Sequence, residues 1–236
     1  MKNHSAILDK TWDSDFFGFK IGYVEFSDPN LIDFADLVAL QKEQDYKVVY
    51  AFSDVEIDSE ITKNILHYYD SKITLEKSLP KQLDGSLKYD VVSDKEFDSA
   101  LQLSYEAGKK SRFKLDPNFS SEAFLKLYEA WCVNSLNKEF ADEVIGYFED
   151  SQLLGMATVK VNENTANIGL ISVLSGYQGK GIGQKLLDYS ESYAVQSGCS
   201  KIKVPTQAIN EQALSFYRKN GYHDIKVEHI YHLWLS

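Results

Sequence analysis

Residues 178–183 have a glycine spacing that can bind a phosphate-bearing ligand. They are Gln178, Gly179, Lys180, Gly181, Ile182 and Gly183. An apolar strand-like run, residues 168–174, precedes them, and an amphipathic helical pattern follows. Because glycine has no Cβ, several backbone N–H groups can turn towards one anion at the positive end of the following helix. The stretch therefore predicts a site for a pyrophosphate.

Two common glycine-rich nucleotide motifs do not fit this stretch. Gly176 is not followed at the right distance by Gly-Lys-Ser/Thr, and the three later glycines do not complete G-x-G-x-x-G. The pattern that fits is Q/R-x-x-G-x-G/A, filled by Gln178, Gly181 and Gly183. A glycine-rich turn without a ligand is the alternative interpretation of so short a match, so the neighbouring residues must decide.

The next forty residues supply a second motif. A helical pattern after the loop ends at Gly198, a candidate left-handed cap, and residues 201–204 alternate as a strand. Asn210 is a candidate N-cap of a second helix that ends at Gly221. From Asn210 to Tyr222 the chain reads Asn-x-x-Ala-x-x-Phe-Tyr-x-x-x-Gly-Tyr.

The two motifs, in this order, resemble the coenzyme A loop and the second half of the GNAT superfamily of N-acyltransferases. Many members carry Pro where Ser175 stands and Arg where Gln178 stands. The resemblance implies acetyl-CoA as co-substrate, with Asn210 on the pantetheine arm and Tyr217 beside the sulfur. The implied coenzyme-binding residues are Val173, Leu174, Gln178, Gly179, Lys180, Gly181, Ile182, Gly183, Asn210 and Phe216.

The chemistry of acetyl transfer needs few protein groups. An amine attacks a thioester directly, so the protein must align the substrates, polarise the carbonyl and protonate the thiolate. The resemblance implies a backbone N–H near Leu174 for the carbonyl, and Tyr217 is the predicted general acid. Residues 167–174 contain no carboxylate, so the general base is unassigned and water is favoured. Acyl transfer through Cys199 is the alternative, although a small buried side chain is its favoured role.

Residues 109–114 form the one basic cluster of an acidic sequence. Arg112 can bind a phosphate with two hydrogen bonds, and Phe113 can offer an apolar wall to a base or sugar. We therefore predict that Arg112 and Phe113 bind the acceptor. A solvated loop and a partner for the 3′-phosphate of the coenzyme are the alternatives.

An N-terminal motif narrows the resemblance. Trp12, Phe16, Phe17 and Gly18 fit Trp-Asp/Glu-x-x-Phe-Phe-Gly, which is similar to the opening of the dTDP-fucosamine acetyltransferases within the GNAT superfamily. The resemblance implies that the acceptor is the amine of a nucleotide-linked amino sugar. For the aromatic residues alone, anchoring in the core of an N-terminal unit is the favoured role.

Composition limits the possible partners and location. The chain has 236 residues, is 44% hydrophobic and carries a formal charge of −10. This charge argues against sequence-independent binding to nucleic acid or to an anionic membrane. No apolar run is long enough to span a bilayer, the N-terminus lacks an apolar signal core, and the two cysteines lack metal-ligand spacing. We predict a cytoplasmic protein without a metal; the oligomeric state, a homodimer included, stays open.

The predicted fold class is α/β: a GNAT fold with a mixed, mostly antiparallel central sheet flanked by helices, preceded by a small N-terminal α/β domain. The predicted domains are residues 1–84 and 85–236, with a linker at residues 80–85. Predicted strands cover residues 21–26, 46–52, 73–75, 89–92, 144–148 and 154–161, and predicted helices cover residues 31–41, 57–69, 94–108 and 120–134. Predicted hairpin turns lie at residues 150–151 and 162–164.

The sequence thus predicts an N-acetyltransferase that moves acetyl from acetyl-CoA to a primary amine. A catalytically silent module that binds acyl-CoA is the alternative from another class. A third possibility keeps the enzyme but changes the acceptor to a protein N-terminus or another small amine.

Overall fold

The computed structural model describes residues 6–28, 32–58, 60, 65–82 and 87–235. The chain divides into two compact units. The first comprises Met1–Ile73, Gln207–Ile209 and Lys226–Ser236, and the second comprises Thr74–Thr206 and Asn210–Ile225. The assignment of residues 1–84 and 85–236 to separate domains stays a prediction, as does the linker, of which residues 83–85 lie outside the described residues.

The first unit is built on strands and two described helices. Its strands are β1 (Leu8–Asp9), β2 (Ile21–Phe26), β3 (Val48–Ser53), the first part of β4 (His67–Ser78) and most of β10 (His223–Trp234), and its described helices are α1 (Thr11–Phe17) and α2 (Phe34–Glu43). β2 is parallel to β3 and antiparallel to β1, and β3 is antiparallel to β10. Its core joins both ends of the chain, because Val24 and Val49 are buried in one cluster with Leu233.

The N-terminal aromatic motif does not anchor this core. α1 carries no buried residue, Trp12 is exposed and Phe16 and Phe17 are half-buried. The rings of Trp12 and Phe16 stack on each other with their centroids 5.2 Å apart. The favoured core-anchoring role is therefore wrong for these residues.

The second unit has the mixed, mostly antiparallel sheet that the sequence predicts. Its strands are the rest of β4, β5 (Asp90–Val91), β6 (Glu143–Glu149), β7 (Gln152–Asn162), β8 (Thr165–Val173), β9 (Lys201–Gln207) and the first residues of β10. Its helices are α3 (Phe97–Gly108), α4 (Arg112–Leu115), α5 (Ser121–Leu136), α6 (Ile182–Gln196) and α7 (Glu211–Lys219). β5 to β8 form a continuous antiparallel series, and β9 is parallel to β8.

The predicted hairpin turns are confirmed, and one predicted helix is wrong. Asp150 and Ser151 between β6 and β7, and Glu163 between β7 and β8, have φ of +46°, +66° and +54°. The predicted helix at residues 57–69 fails at its end, because residues 67–69 open β4. Of that segment, residues 59 and 61–64 lie outside the described residues. A short run rich in tyrosine and isoleucine fits a helix and a strand almost equally well.

Helices α3 and α6 position the ends of the sheet in the second unit. Both pack on β7 and β8, and α5 packs on α3. Leu103 of α3, Met156 of β7 and Leu186 of α6 are almost completely excluded from solvent. Each such side chain contributes about 1.5–3 kcal/mol when it is buried. This packing brings the C-terminal end of α3 and the start of α6 to the C-terminal end of β8.

Candidate active site

Strand β8 separates from β9 at a β-bulge. The two strands pair only where Thr165–Asn167 faces Lys201–Lys203. On the other side, Ala157 pairs with Ile171 but Val159 pairs with Ile168, so β8 has one extra residue there. A bulge bends its strand and increases the local twist. Beyond it, the edge of β8 that would face β9 is open to a ligand.

Thr158 supports the bulge from the opposite strand. The backbone N–H of Leu170 donates to Thr158 Oγ1 at 2.8 Å. A Cβ at Gly169 would lie 2.9 Å from the same oxygen, which is closer than real Cβ contacts. The Thr158 hydroxyl in this position therefore requires glycine at position 169. Sequence reasoning missed this pair, because a threonine in a strand gives no sign of which backbone group it faces.

The open edge of β8 presents the backbone of Val173. The N–H of Leu174 is engaged, since it donates to Leu154 O at 2.9 Å. Successive backbone groups of a strand point to opposite sides, so the N–H and C=O of Val173 point towards the open edge. The Val173 carbonyl there accepts a hydrogen bond of 3.1 Å from Gln178 Nε2. Val173 is thus better placed than Leu174 to polarise a carbonyl.

The loop between β8 and α6 has the backbone conformation that an anion site needs. Gly179 and Gly181 have φ of +76° and +83°, and a Cβ at either position would meet nothing within 4 Å. Conformation, not crowding, therefore requires glycine at both. Gly181 is the N-cap of α6, where no side chain caps the helix and the first turn has no acidic residue. The first N–H groups and the positive end of α6 are thus left to a ligand.

A cavity of about 550 Å³ in the second unit joins these elements. Its lining is Glu106, Ala107, Lys109, Lys110, Ile171, Ser172, Val173, Ser175, Tyr177, Gln178, Gly179, Gly181, Ile182, Gly183, Gln184, Asn210, Gln212, Ala213, Phe216 and Tyr217. The lining includes the predicted general acid Tyr217. It also includes every predicted coenzyme-binding residue except Leu174 and Lys180. The ammonium of Lys180 lies 4.6 Å from the centroid of the Tyr177 ring.

Helix α7 carries Asn210 and Tyr217 to the cavity. Asn210 is the N-cap but makes no side-chain capping bond, and its Oδ1 accepts from Lys110 Nζ at 3.1 Å. Tyr217 lies about two turns further along the same face. The tyrosine is only 4% exposed, and burial raises the pKa of its phenol above the ordinary value. The phenol is therefore protonated at neutral pH.

A polar network adjoins the ring of Tyr217. The centroids of the Tyr217 and Tyr222 rings are 5.8 Å apart. Tyr222 OH donates to Glu191 Oε1 at 3.1 Å, and Lys77 Nζ donates to both oxygens of Glu191 at 2.8 and 2.7 Å. Burial, and then the charge of Glu191, raise the pKa of Tyr222. These contacts hold the end of α7 in place through Tyr222, three residues beyond the helix.

The C-terminal turns of α3 form the remaining wall. Ser172 Oγ donates to Leu103 O at 2.7 Å, and Ser175 Oγ donates to Glu106 Oε2 at 3.0 Å. Glu106 also pairs with Lys109 at 2.6 Å. Sequence reasoning missed Glu106, and from the basic cluster it chose Arg112 and Phe113 rather than Lys110. The signal for Glu106 was helical spacing, because it lies about one turn beyond the buried Leu103 on the same helix.

The basic cluster is divided between two environments. Lys109 and Lys110 line the cavity, whereas Arg112 and Phe113 do not. The Phe113 ring is 5% exposed and packs against Phe119 at a centroid distance of 5.3 Å. The guanidinium carbon of Arg112 lies 4.4 Å from the Phe113 centroid. The assignment of Arg112 and Phe113 to acceptor binding stays a prediction.

The thiol of Cys199 is poorly suited to covalent transfer. The residue is buried and does not line the cavity. Burial raises its pKa, which disfavours the nucleophilic thiolate. The packing role favoured from the sequence therefore agrees with its surroundings.

Within the described ranges, no group of three or more His, Cys, Asp or Glu side chains is arranged to hold a metal ion. Among the helices of the described residues, none has both the length and the apolarity that crossing a membrane requires.

Comparison with known proteins identifies the family of this site. Residues 107–222, which contain the loop, the β8 edge and α7, match the sequence model of the acetyltransferase (GNAT) family. This segment belongs to that family. The GNAT segment includes all the cavity residues except Glu106.

Two curated relatives come from Bacillus subtilis (strain 168). The spore coat polysaccharide biosynthesis protein SpsD is 23% identical over 133 residues, which are 56% of this chain and 46% of SpsD. The uncharacterized protein YxbD is 37% identical over 84 residues, which are 34% of this chain and 52% of YxbD. The chain thus spans about half the length of the curated relatives it matches.

Solved structures show the same fold. The GCN5-related N-acetyltransferase from Sphaerobacter thermophilus aligns with a TM-score of 0.58 and 13% identity, covering 97% of this chain and 75% of that one. At this level of identity the likeness concerns the fold alone.

Proposed function

We propose that the protein is an N-acetyltransferase that moves acetyl from acetyl-CoA to a primary amine. The observation that carries the proposal is one cavity lined by the glycine loop, the open Val173 backbone and the Tyr217 phenol. These groups match the tasks of holding a pyrophosphate, polarising a thioester and protonating a thiolate. The GNAT match over residues 107–222 supports the same reaction.

The proposed coenzyme site follows the loop and α7. The N–H groups around Gly179 and Gly181 and the start of α6 would bind the pyrophosphate. The pantetheine arm would lie along the open edge of β8, with Asn210 and Phe216 on its other side. In this position the thioester oxygen would accept a hydrogen bond from Val173 N–H, and this bond strengthens as negative charge develops on the oxygen.

Tyr217 is the proposed general acid. The amine nitrogen attacks the thioester carbon, the C–S bond breaks and the phenol protonates the departing sulfur. The new amide nitrogen still carries one excess proton, which restores the phenol. The raised pKa of Tyr217 keeps the phenol protonated before each turnover.

The proposed acceptor is the amine of a nucleotide-linked amino sugar. Two observations support it. The SpsD relative is named for polysaccharide biosynthesis, and two lysines at the cavity can attract a phosphorylated acceptor. Arg112 would add a further phosphate contact.

An amine panel tests the proposal. Thiol release from acetyl-CoA would be measured with a nucleotide-linked amino sugar, the matching free amino sugar, a polyamine and a peptide with a free N-terminus. We expect the nucleotide-linked sugar to give the highest kcat/KM. Acetyl-CoA binding without acetylation of any amine would favour the silent module, and preference for the peptide or polyamine would favour another acceptor.

A further inference from the structure

Glu106 is the carboxylate of the cavity. Among the described residues that line it, no other is acidic. The side chain is 15% exposed, and Ser175 Oγ donates to its Oε2 at 3.0 Å. Lys109, whose side chain is 58% exposed, pairs with Oε1 at 2.6 Å. A mostly buried carboxylate is thus fixed on one oxygen by a neutral hydroxyl and on the other by a solvated lysine.

The position of Ser175 places this carboxylate near the reacting centre. Ser175 follows Val173 by two residues, so their Cα atoms are at most about 7 Å apart. Val173 N–H points to the same cavity and is the proposed partner of the thioester oxygen. Glu106 and Val173 therefore line the same cavity, in which a carboxylate can act on an attacking amine directly or through one water molecule.

We propose that Glu106 binds the acceptor ammonium and is the general base of the acetyl transfer. This inference rests on the proposed function and names the group that the reaction still needs. The approaching ammonium replaces the exposed Lys109 as the cationic partner of Oε1. The hydrogen bond from Ser175 holds the other oxygen, so the carboxylate keeps its orientation during the exchange.

The proton balance closes with the groups of this cavity. The ammonium transfers one proton to Glu106, and the freed lone pair forms the N–C bond to the thioester carbon. The C–S bond then breaks, Tyr217 protonates the sulfur, and the excess proton on the amide nitrogen returns to the tyrosinate. Glu106 releases its proton to water. The net products are the amide, the free thiol and one proton.

The test compares a charged and an uncharged acceptor in Glu106→Gln. Glutamine keeps the size and the contact with Ser175 but loses the charge and the basicity. With the best alkylamine of the panel, we expect kcat/KM to fall about a hundredfold or more, in line with loss of a general base. Methoxyamine is uncharged at neutral pH and needs no deprotonation before attack, so its kcat/KM should fall by no more than about threefold.

Two further variants keep the comparison sharp. Glu122→Gln makes the same change in an exposed Glu122–Lys126 pair outside the cavity, where the ions are 2.8 Å apart, and should leave both acceptors unchanged. Glu106→Asp keeps the charge and provides the test if the glutamine variant does not fold. In Glu106→Asp the fall in kcat/KM should be smaller than in Glu106→Gln, and it should occur only with the alkylamine. Titration with acetyl-CoA confirms that each variant retains the coenzyme site.

The outcomes separate this inference from the proposed function. A loss confined to the alkylamine supports the base. Equal losses on both acceptors would make Glu106 a structural link between α3 and Ser175, and no loss on either would remove it from the site; both results overturn the inference alone. A wild-type protein that binds acetyl-CoA but acetylates no amine would overturn the proposed function and this inference with it.

Discussion

The two walls of the cavity are built in different ways. One wall is backbone: the open edge of β8, the glycine loop and the start of α6. The other is side chains: Glu106 on α3, Lys110 just after α3, Asn210 at the N-cap of α7 and Tyr217 on α7. The first wall depends on conformations that a few glycines permit, and the second depends on where individual side chains point. Substitutions in the backbone wall should therefore change coenzyme affinity, whereas substitutions in the side-chain wall should change turnover or acceptor affinity.

The largest effect is expected in the side-chain wall. Tyr217→Phe keeps the ring and its packing but removes the proton, so kcat should fall by about a hundredfold or more while acetyl-CoA affinity changes little. Steady-state kinetics and calorimetry measure the two quantities. Tyr193→Phe, on α6 outside the cavity, is the matched control and should behave as wild type. Wild-type turnover in a folded Tyr217→Phe protein would assign the proton to another donor, provided that chemistry limits the rate.

A substitution in the backbone wall should instead change acetyl-CoA affinity. Gly181→Val places a β-branched residue at φ +83°, so the loop must leave its conformation, and the Kd for acetyl-CoA should rise by about tenfold or more. Gly176→Ala is the control, since Gly176 lacks positive φ and a Cβ there meets nothing within 4 Å. Calorimetry compares the two. Equal affinities in both folded variants would show that the loop does not hold the coenzyme.

Arg112 sharpens the question of where the acceptor binds. If it contacts a phosphate of a nucleotide sugar, Arg112→Ala should raise the acceptor KM by about tenfold or more, as expected for a charge-assisted hydrogen bond of about 1.5–3 kcal/mol. The free amino sugar, which has no phosphate, should lose less. Equal losses on both sugars would mean that Arg112 acts through its packing on Phe113. A loss of acetyl-CoA affinity instead would place Arg112 on the coenzyme.

The smallest effect concerns the bulge that opens the backbone wall. Thr158→Val keeps the shape of the buried side chain but leaves the N–H of Leu170 without its acceptor, which should cost about 1–3 kcal/mol of folding stability. Thr165→Val, at the start of β8, is the control and should change stability by less than about 0.5 kcal/mol. Urea unfolding measures both. An unchanged midpoint in Thr158→Val would show that this hydrogen bond does not stabilise the bulge.

Much of the backbone wall could be predicted from the sequence. The glycine spacing at residues 178–183, the strand before it and the helix after it follow from local rules, because positive φ and an uncapped helix start depend on a few neighbouring residues. The hairpin turns at Asp150 and Glu163 follow for the same reason. The wrong helix prediction at residues 67–69 shows the limit of such local rules. These residues suit the periodicity of a helix and of a strand, and pairing with neighbouring strands decides between the two.

The sequence by itself determined the order of the elements of the GNAT segment, the loop, and two residues that line the cavity, Asn210 at the N-cap of α7 and Tyr217 within it. Tertiary structure decided the bulge at Gly169, the direction of the Val173 N–H, and the separation of Lys110 from Arg112. It also brought Glu106 to Ser175, which lies 69 residues further along the chain. The physical reason is the distance along the chain over which each feature is set. Backbone conformation and helix periodicity depend on a few neighbouring residues, whereas the contact of Glu106 with Ser175 depends on the packing of α3 on β8.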